Sequence, residues 1–146
     1  MVKDSRYSKL IILRAQLEQI VFREFVKQYD MPDGLKQVHG ITMLKLKYIK
    51  ALSMTELSHA LNLEKASITS IADKLVNFGY IESTRSKEDR RVYKLTLTEK
   101  GKKFADDFDE QHQLFLKKKF EKYTDKEQEK LFESLEYITD KFEELM

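Results

Sequence analysis

Proline occurs once in these 146 residues, at Pro32, and glycine four times, at Gly34, Gly40, Gly79 and Gly101. Proline interrupts regular structure because it has no amide donor, glycine because ordering its backbone costs the most freedom. A chain so poor in both is expected to be mostly helical, with joints where they cluster. The strongest cluster is Asp30-Met31-Pro32-Asp33-Gly34. Ahead of it, Leu10, Leu13, Leu17, Ile20, Val21 and Phe25 recur at steps of three and four, predicting a first helix over residues 5–29. Beyond it, Leu35, Val38, Ile41 and Leu44 predict a second helix over residues 35–50 with those side chains inward and Gly40 as a weak point.

Ser53-Met54-Thr55-Glu56 has the form of a capping box, in which the serine accepts from the Glu56 amide and the glutamate reaches back. The short helix that follows carries Leu57, Ala60 and Leu61 and breaks at Asn62-Leu63. Ile68, Ile71, Ala72 and Leu75 mark one face of a helix over residues 64–78, with Gly79 placed as its left-handed stop. The period then changes to two. Residues 80–85 and 92–97 read as short strands, and Ser86-Lys87-Glu88-Asp89-Arg90-Arg91 between them as the charged tip of a hairpin. Thr98 caps a long helix through Gly101, Phe104, Phe108 and Phe115 to about residue 120. Thr124-Asp125-Lys126-Glu127 is a second capping box, and Leu131, Leu135, Ile138, Phe142 and Leu145 form a narrow apolar seam on the last helix, suited to packing against another helix. The expected fold is mainly α with one small β-hairpin.

Charge is distributed unevenly. Residues 1–103 carry 20 basic and 12 acidic side chains, a net of +8, whereas residues 104–146 carry a net of −6. The first part suits an anionic partner; acidic terminal helices are also common as plain solvated surfaces. The absence of cysteine rules out disulfides and thiolate metal sites within this sequence. No run of 18 apolar residues exists, and Met1 to Lys9 show no secretory core, so no membrane association and a cytoplasmic location are expected.

Two short helices joined by a tight break suit a helix-turn-helix, whose second helix enters a major groove when its outer face is small and polar. Here that face holds Lys65, Ala66, Ser67, Thr69, Ser70, Lys74 and Asn77. The hydroxyls can meet base edges, and Ala66 or the Thr69 methyl can meet a thymine methyl. The same pattern describes an ordinary amphipathic helix with a solvated face. The hairpin adds Arg85, Lys87, Arg90, Arg91 and Lys94 against Glu88 and Asp89. An arginine on a protruding tip fits a narrow minor groove, where the negative potential is enhanced. Asp89 opposes that role if it faces DNA, and makes sense if it pairs with an arginine and braces the tip. The alternative is a solvated turn whose charges only discourage edge pairing.

Met54-Thr55-Glu56-Leu57-Ser58, then Ile68-Thr69-Ser70 through Leu75 and Phe78-Gly79-Tyr80-Ile81, then Asp89-Arg90-Arg91 with Leu97-Thr98-Glu99-Lys100-Gly101, together resemble the MarR family of bacterial winged-helix regulators. The resemblance implies a winged helix-turn-helix with long N- and C-terminal dimerisation helices. It divides the chain into residues 1–34 (dimerisation helix and turn), 35–100 (DNA-binding lobe) and 101–146 (dimerisation helices). It implies a homodimer on a pseudo-palindromic operator, with Ala66, Ser67 and Ser70 facing bases. One arginine of the Asp-Arg-Arg run would enter the minor groove, Arg91 by preference with Arg90 open. Lys65, Thr69 and Lys74 join the recognition helix; Arg85, Lys87 and Lys94 join the wing as phosphate contacts. Family members are mostly repressors, and many release DNA when a small aromatic or anionic compound binds. Two departures stand out: the Ala51-Leu52 connection is short, and Ser70 is shorter than the side chain some members carry there.

No glycine-rich phosphate loop, nucleophile elbow or HExxH occurs, so an enzyme is not expected, nor a cofactor. His39, His59 and His112 are the only histidines. His112 lies one helical turn from Asp109, but a metal needs three or four placed ligands; a packed or pocket histidine is the reading, His39 reads as a surface or pocket residue, and no metal site is expected. Phe104, Phe108, Phe115 and Phe120 suit either a core or a ligand cavity, and Tyr7, Tyr29 and Tyr48 could tip such a cavity with hydroxyls. A competing function is a helical protein–protein adaptor that kept the fold without specific DNA binding.

Overall fold

The computed structural model describes residues 5–145; residues 1–4 and 146, the outermost parts of the two expected dimerisation segments, lie outside the described residues. Helix α1 (Ser5–Glu18) runs through a π-helical turn (Gln19–Arg23) into α2 (Glu24–Gln28). A 3₁₀ turn (Pro32–Gly34) leads to α3 (Gln37–Ile49), α4 (Met54–Leu61) and α5 (Lys65–Asn77). Strands β1 (Ile81–Arg85) and β2 (Tyr93–Leu97) follow, then α6 (Glu99–Phe120) and α7 (Asp125–Glu143). The strands pair antiparallel, Ile81 opposite Leu97 and Arg85 opposite Tyr93. The mainly helical fold with one hairpin is as expected. The chain divides into two compact units, the first ending at His112 and the second beginning at Gln113.

Local chemistry sets most boundaries of the first unit. Ser53 Oγ accepts from the Glu56 amide at 3.2 Å while Glu56 Oε2 accepts from the Ser53 amide at 2.7 Å, closing the expected capping box. Asn62 takes the left-handed conformation (φ 50°, ψ 48°) that ends α4, and the Leu63 amide reaches back to the Ser58 carbonyl at 3.1 Å. Gly79 (φ 76°) ends α5 in the same way. Thr98 Oγ1 accepts from the Gly101 amide at 3.1 Å and starts α6, while the Thr98 amide donates to the Tyr80 carbonyl at 3.0 Å and the Thr98 hydroxyl to the Gly79 carbonyl at 2.6 Å. The first turn of α6 therefore lies against the entry to β1. A β-carbon on Gly101 would stand 1.9 Å from the Tyr80 oxygen, so only glycine fits there.

The core of this unit is Met43, Leu46, Leu57, Ile68, Leu75, Ile81 and Phe108, all almost fully buried. Phe25, Tyr29, Phe104 and Phe108 form an aromatic group with ring centroids 4.9–6.1 Å apart where they touch. Phe104 and Phe108 are thus core side chains rather than cavity walls. His112 joins the same group, 4.9 Å from the Phe25 ring, with Nε2 2.6 Å from the Val21 carbonyl in the π-helical turn. Tyr29 donates to Asp107 at 2.7 Å, and burial together with that carboxylate raises its phenol well above its ordinary range.

Three expectations are corrected. The first helix is not uniformly α, because the π-helical turn interrupts it; of its apolar stripe Phe25 is buried, and Leu10, Leu13, Leu17 and Ile20 are exposed. Leu35 precedes α3 and so does not set its phase: the buried face is His39, Gly40, Thr42, Met43 and Leu46, whereas Val38, Ile41 and Leu44 are half-exposed. Gly40 turns inward because a β-carbon there would press to 2.9 Å from the Phe108 ring, and Thr42 can follow because its hydroxyl donates to the Val38 carbonyl at 2.7 Å. His39 is not at the surface. It is buried and its Nδ1 accepts from the Lys36 amide at 2.8 Å, capping α3, while burial lowers its basicity.

In the second unit, Thr124 and Glu127 close their capping box at 3.3 and 2.8 Å. The turn before α7 is held by Gln128, whose amide donates to the carbonyls of Phe120 and Tyr123 at 3.1 Å each. The Phe120 ring meets Tyr123 and Phe132. Leu131 and Leu135 of the predicted seam are half-buried, while Ile138, Phe142 and Leu145 are exposed. Among the described residues no helix is long and apolar enough to cross a membrane.

Candidate nucleic-acid interface

Helices α4 and α5, joined through Asn62 and Leu63, form a helix-turn-helix. Ile68, Ile71, Ala72 and Leu75 are buried, so the α5 face carrying Lys65, Ala66, Ser67, Thr69, Ser70 and Asn77 is left exposed. The N-cap residue Glu64 makes no side-chain bond to the first turn, which leaves the leading amides of α5 open to an acceptor such as a phosphate oxygen. Thr69 Oγ1 donates to the Lys65 carbonyl at 3.0 Å, so its proton is engaged and it presents its methyl and lone pairs outward. Lys74, expected on the contact face, donates instead to the Gly34 carbonyl at 2.7 Å and ties α5 to the 3₁₀ turn.

The hairpin tip owes its shape to two residues. Ser86 Oγ accepts from the amides of Glu88 and Asp89, and the Ser86 amide donates to the Val92 carbonyl at 2.8 Å. The Val92 amide then returns to the Asp89 carbonyl at 3.0 Å, making a β-turn with Arg90 and Arg91 at its two central positions. Asp89 does brace the tip, but not through an arginine side chain as expected. Its Oδ1 accepts from the Arg91 backbone amide at 2.9 Å, the local turn-closing bond that aspartate makes two residues ahead. The brace therefore consumes neither guanidinium. Both arginines are exposed, and among the described residues neither has an ion-pair partner. Lys87 is exposed beside them.

Two other basic residues of the hairpin are already held. Arg85 Nε donates to the Tyr93 hydroxyl at 3.1 Å, its guanidinium 5.6 Å from the ring across the strand pair. That engages Nε on an otherwise exposed side chain. Tyr93 was not singled out in the sequence, although its position directly opposite Arg85 follows from the hairpin register. Lys94, expected on a phosphate, instead meets Glu56 Oε2 at 2.6 Å. The bridge, with the Ser53 bonds, holds the Glu56 carboxyl down to about 2. Beside it, Leu52 and Leu95 exchange both backbone bonds, at 2.7 and 3.2 Å, so the short Ala51-Leu52 connection is a one-residue third strand of the hairpin.

Behind the hairpin the first unit has an open cleft of about 520 Å³, floored by Leu46 and Leu97 and rimmed by Lys47, Lys50, Lys102, Glu82 and Asp106. Lys47 is engaged by Asp109 at 2.6 Å and Asp106 at 3.1 Å, and Tyr48 also donates to Asp109, at 2.7 Å; these bonds raise the protonation range of both side chains. Among the described residues no three histidine or carboxylate side chains converge as metal ligands.

The sequence model of the MarR family matches residues 37–93, the stretch from the start of α3 to the return strand of the hairpin. An uncharacterised HTH-type transcriptional regulator of Bacillus subtilis, YpoP, is 38% identical over 80 residues, 55% of this chain and 57% of that protein. The HTH-type transcriptional regulator SarZ of Staphylococcus haemolyticus is 30% identical over 106 residues, covering 68% of each. The chain thus spans little more than half the length of YpoP. Among solved structures, FabT of Streptococcus pneumoniae in complex with DNA superimposes with a TM-score of 0.74 at 21% identity, covering 96% of this chain and 99% of that one, a likeness of fold.

Proposed function

Since this chain belongs to the MarR family, we propose that it is a sequence-specific DNA-binding transcriptional regulator rather than an enzyme. In this reading α5 enters a major groove through Lys65, Ala66, Ser67, Thr69 and Ser70, and the hairpin serves as a wing in the adjacent minor groove. The observation that carries it is the Asp89–Val92 turn, which sets Arg90 and Arg91 at its corner with both guanidiniums uncommitted. Exposed arginines held forward by a rigid turn have an evident use on a polyanion and contribute little to stability. Arg85, steadied by Tyr93, and Lys87 serve as phosphate contacts. Lys74 and Lys94 hold the lobe together.

The exposed apolar stripe of α1 and the outer seam of α7 support a homodimer, with residues 1–34 and 101–146 as the dimerising segments and 35–100 as the DNA-binding lobe. A two-fold dimer reads a pseudo-palindromic operator. The protein then acts as a cytoplasmic repressor. The cleft behind the hairpin, floored by leucines and rimmed by both lysines and carboxylates, is the seat this reading gives to a small aromatic or anionic effector that releases DNA.

Arg90→Ala/Arg91→Ala in the full chain tests the wing. Mobility shift on a duplex selected by the wild-type protein is expected to show binding abolished while sedimentation shows the dimer intact; retained affinity overturns the assignment. Wild-type binding is expected to weaken steeply with salt as displaced counterions are counted. A response flat in salt points instead to the protein–protein adaptor.

A further inference from the structure

We propose that Glu56 and Lys94 act as a positioning pair that fixes the angle of the wing against the helix-turn-helix, so that Glu56, an acidic residue, favours DNA binding. The inference rests on the wing reading above. The hairpin is joined to the α4 side of the lobe by one backbone pair, Leu52 with Leu95. The buried Ile81, Leu95 and Leu97 hold the base of the hairpin, so the hinge lies where the strands leave the lobe beyond Leu95. Lys94 lies next to that hinge, half-buried, and its ammonium sits 2.6 Å from Glu56 Oε2. Glu56 is a fixed anchor, since the same oxygen accepts from the Ser53 amide at 2.7 Å in the capping box of α4. The bridge therefore spans from the frame of the first helix of the motif to the return strand of the wing, 38 residues away in sequence.

The lever is long enough to matter. Arg91 sits in the turn three residues before Lys94, at most about 10 Å from it along the chain before its own side chain is added. A pivot of about 10° at the hinge moves the tip by roughly 2 Å, a large fraction of a minor groove about 6 Å wide. An arginine displaced that far loses its seat between the groove walls although nothing in the core has changed. The bridge is exposed enough that its worth to overall stability is small, so its value lies in aim.

This assignment and the simple phosphate-contact reading of Lys94 predict opposite signs for one substitution. If Lys94 binds a phosphate, Glu56 competes for it, and Glu56→Gln frees the lysine and tightens binding. If the pair positions the wing, Glu56→Gln weakens binding, while glutamine still completes the capping box and keeps α4 intact. Fluorescence anisotropy of the full chain on a duplex selected by the wild-type protein is expected to show Glu56→Gln and Lys94→Met each weaker by about five- to tenfold, with the double variant no weaker than either single one. Lys94→Arg, which can still reach the carboxylate, is expected to restore most of the affinity. In an Arg90→Ala/Arg91→Ala background, assayed on nonspecific DNA at low salt, Glu56→Gln is expected to have no further effect, because the pair acts through the tip. Tighter binding by Glu56→Gln, or additive losses in the double variant, overturns the proposal and leaves the wing standing. Undiminished binding by Arg90→Ala/Arg91→Ala overturns the wing itself. A thermal melt of each variant separates lost aim from lost fold.

Discussion

Gly101→Ala is the sharpest test of how the wing is mounted. The added β-carbon would lie 1.9 Å from the Tyr80 oxygen, 3.0 Å from its carbonyl carbon and 3.1 Å from a Leu97 methyl. The first contact is with backbone, so no side-chain rotation relieves it. Either the start of α6 or the entry to β1 must shift by more than 1 Å, and the Tyr80 and Gly79 carbonyls then lose their bonds from the Thr98 amide and hydroxyl. Two hydrogen bonds at about 1 kcal/mol each, with overpacking of about 1–3 kcal/mol, are offset by about 1 kcal/mol of helix propensity gained by alanine over glycine. The net loss is about 2–4 kcal/mol, a large share of the roughly 5–15 kcal/mol that holds a domain together. For a chain of this size that lowers the melting temperature by about 6–15 °C, measured by circular dichroism at one fixed protein concentration because any self-association makes melting depend on it. Lys103→Ala, on an exposed turn of the same helix, is the control and is expected to leave the melt unchanged. A Gly101→Ala protein that melts with the wild type refutes the close approach between α6 and Tyr80.

Acid should expose the Glu56 bridge. Its carboxyl is held near 2 in the folded chain against an ordinary value of 4.5, so its contribution to stability is present above about pH 4.5 and is lost as pH falls toward 2. Lys94→Met is expected to flatten the stability profile over that window in acid-titration melts; an unchanged slope refutes the coupling. Lys50 ends α3 at φ 73° and ψ −48°, with the Ala51 amide bonded to the Ile49 carbonyl at 3.0 Å, a tight turn that strains any side-chain-bearing residue. Lys50→Gly is expected to raise stability by about 1 kcal/mol in urea titration, strain relief exceeding the added freedom of the unfolded chain. A lower midpoint refutes it.

Features whose chemistry closes within a few residues are legible from residue types alone. The capping boxes at Ser53 and Thr124, the Thr98 cap and the stops at Asn62 and Gly79 each depend on a donor and an acceptor up to five residues apart or on a φ that few residues accept. Such bonds form wherever the backbone is placed, so residue types at fixed spacing reveal them. Asp89 shows the limit: its bracing role was legible, its partner was not, since an amide two residues away and a neighbouring guanidinium look alike as charges on a line. Which basic residues are spent is settled by contacts between distant segments. Lys74 on the Gly34 carbonyl and Lys94 on Glu56 are joined across 40 and 38 residues, and nothing in their spacing marks them apart from the uncommitted Arg90 and Arg91. The inward face of α3 was likewise decided by fit, because Gly40 turns toward Phe108 for want of a β-carbon, which no count of apolar residues records. Periodicity reports which face of a helix is apolar; what covers that face, or which cation a carboxylate takes, is settled when distant segments pack.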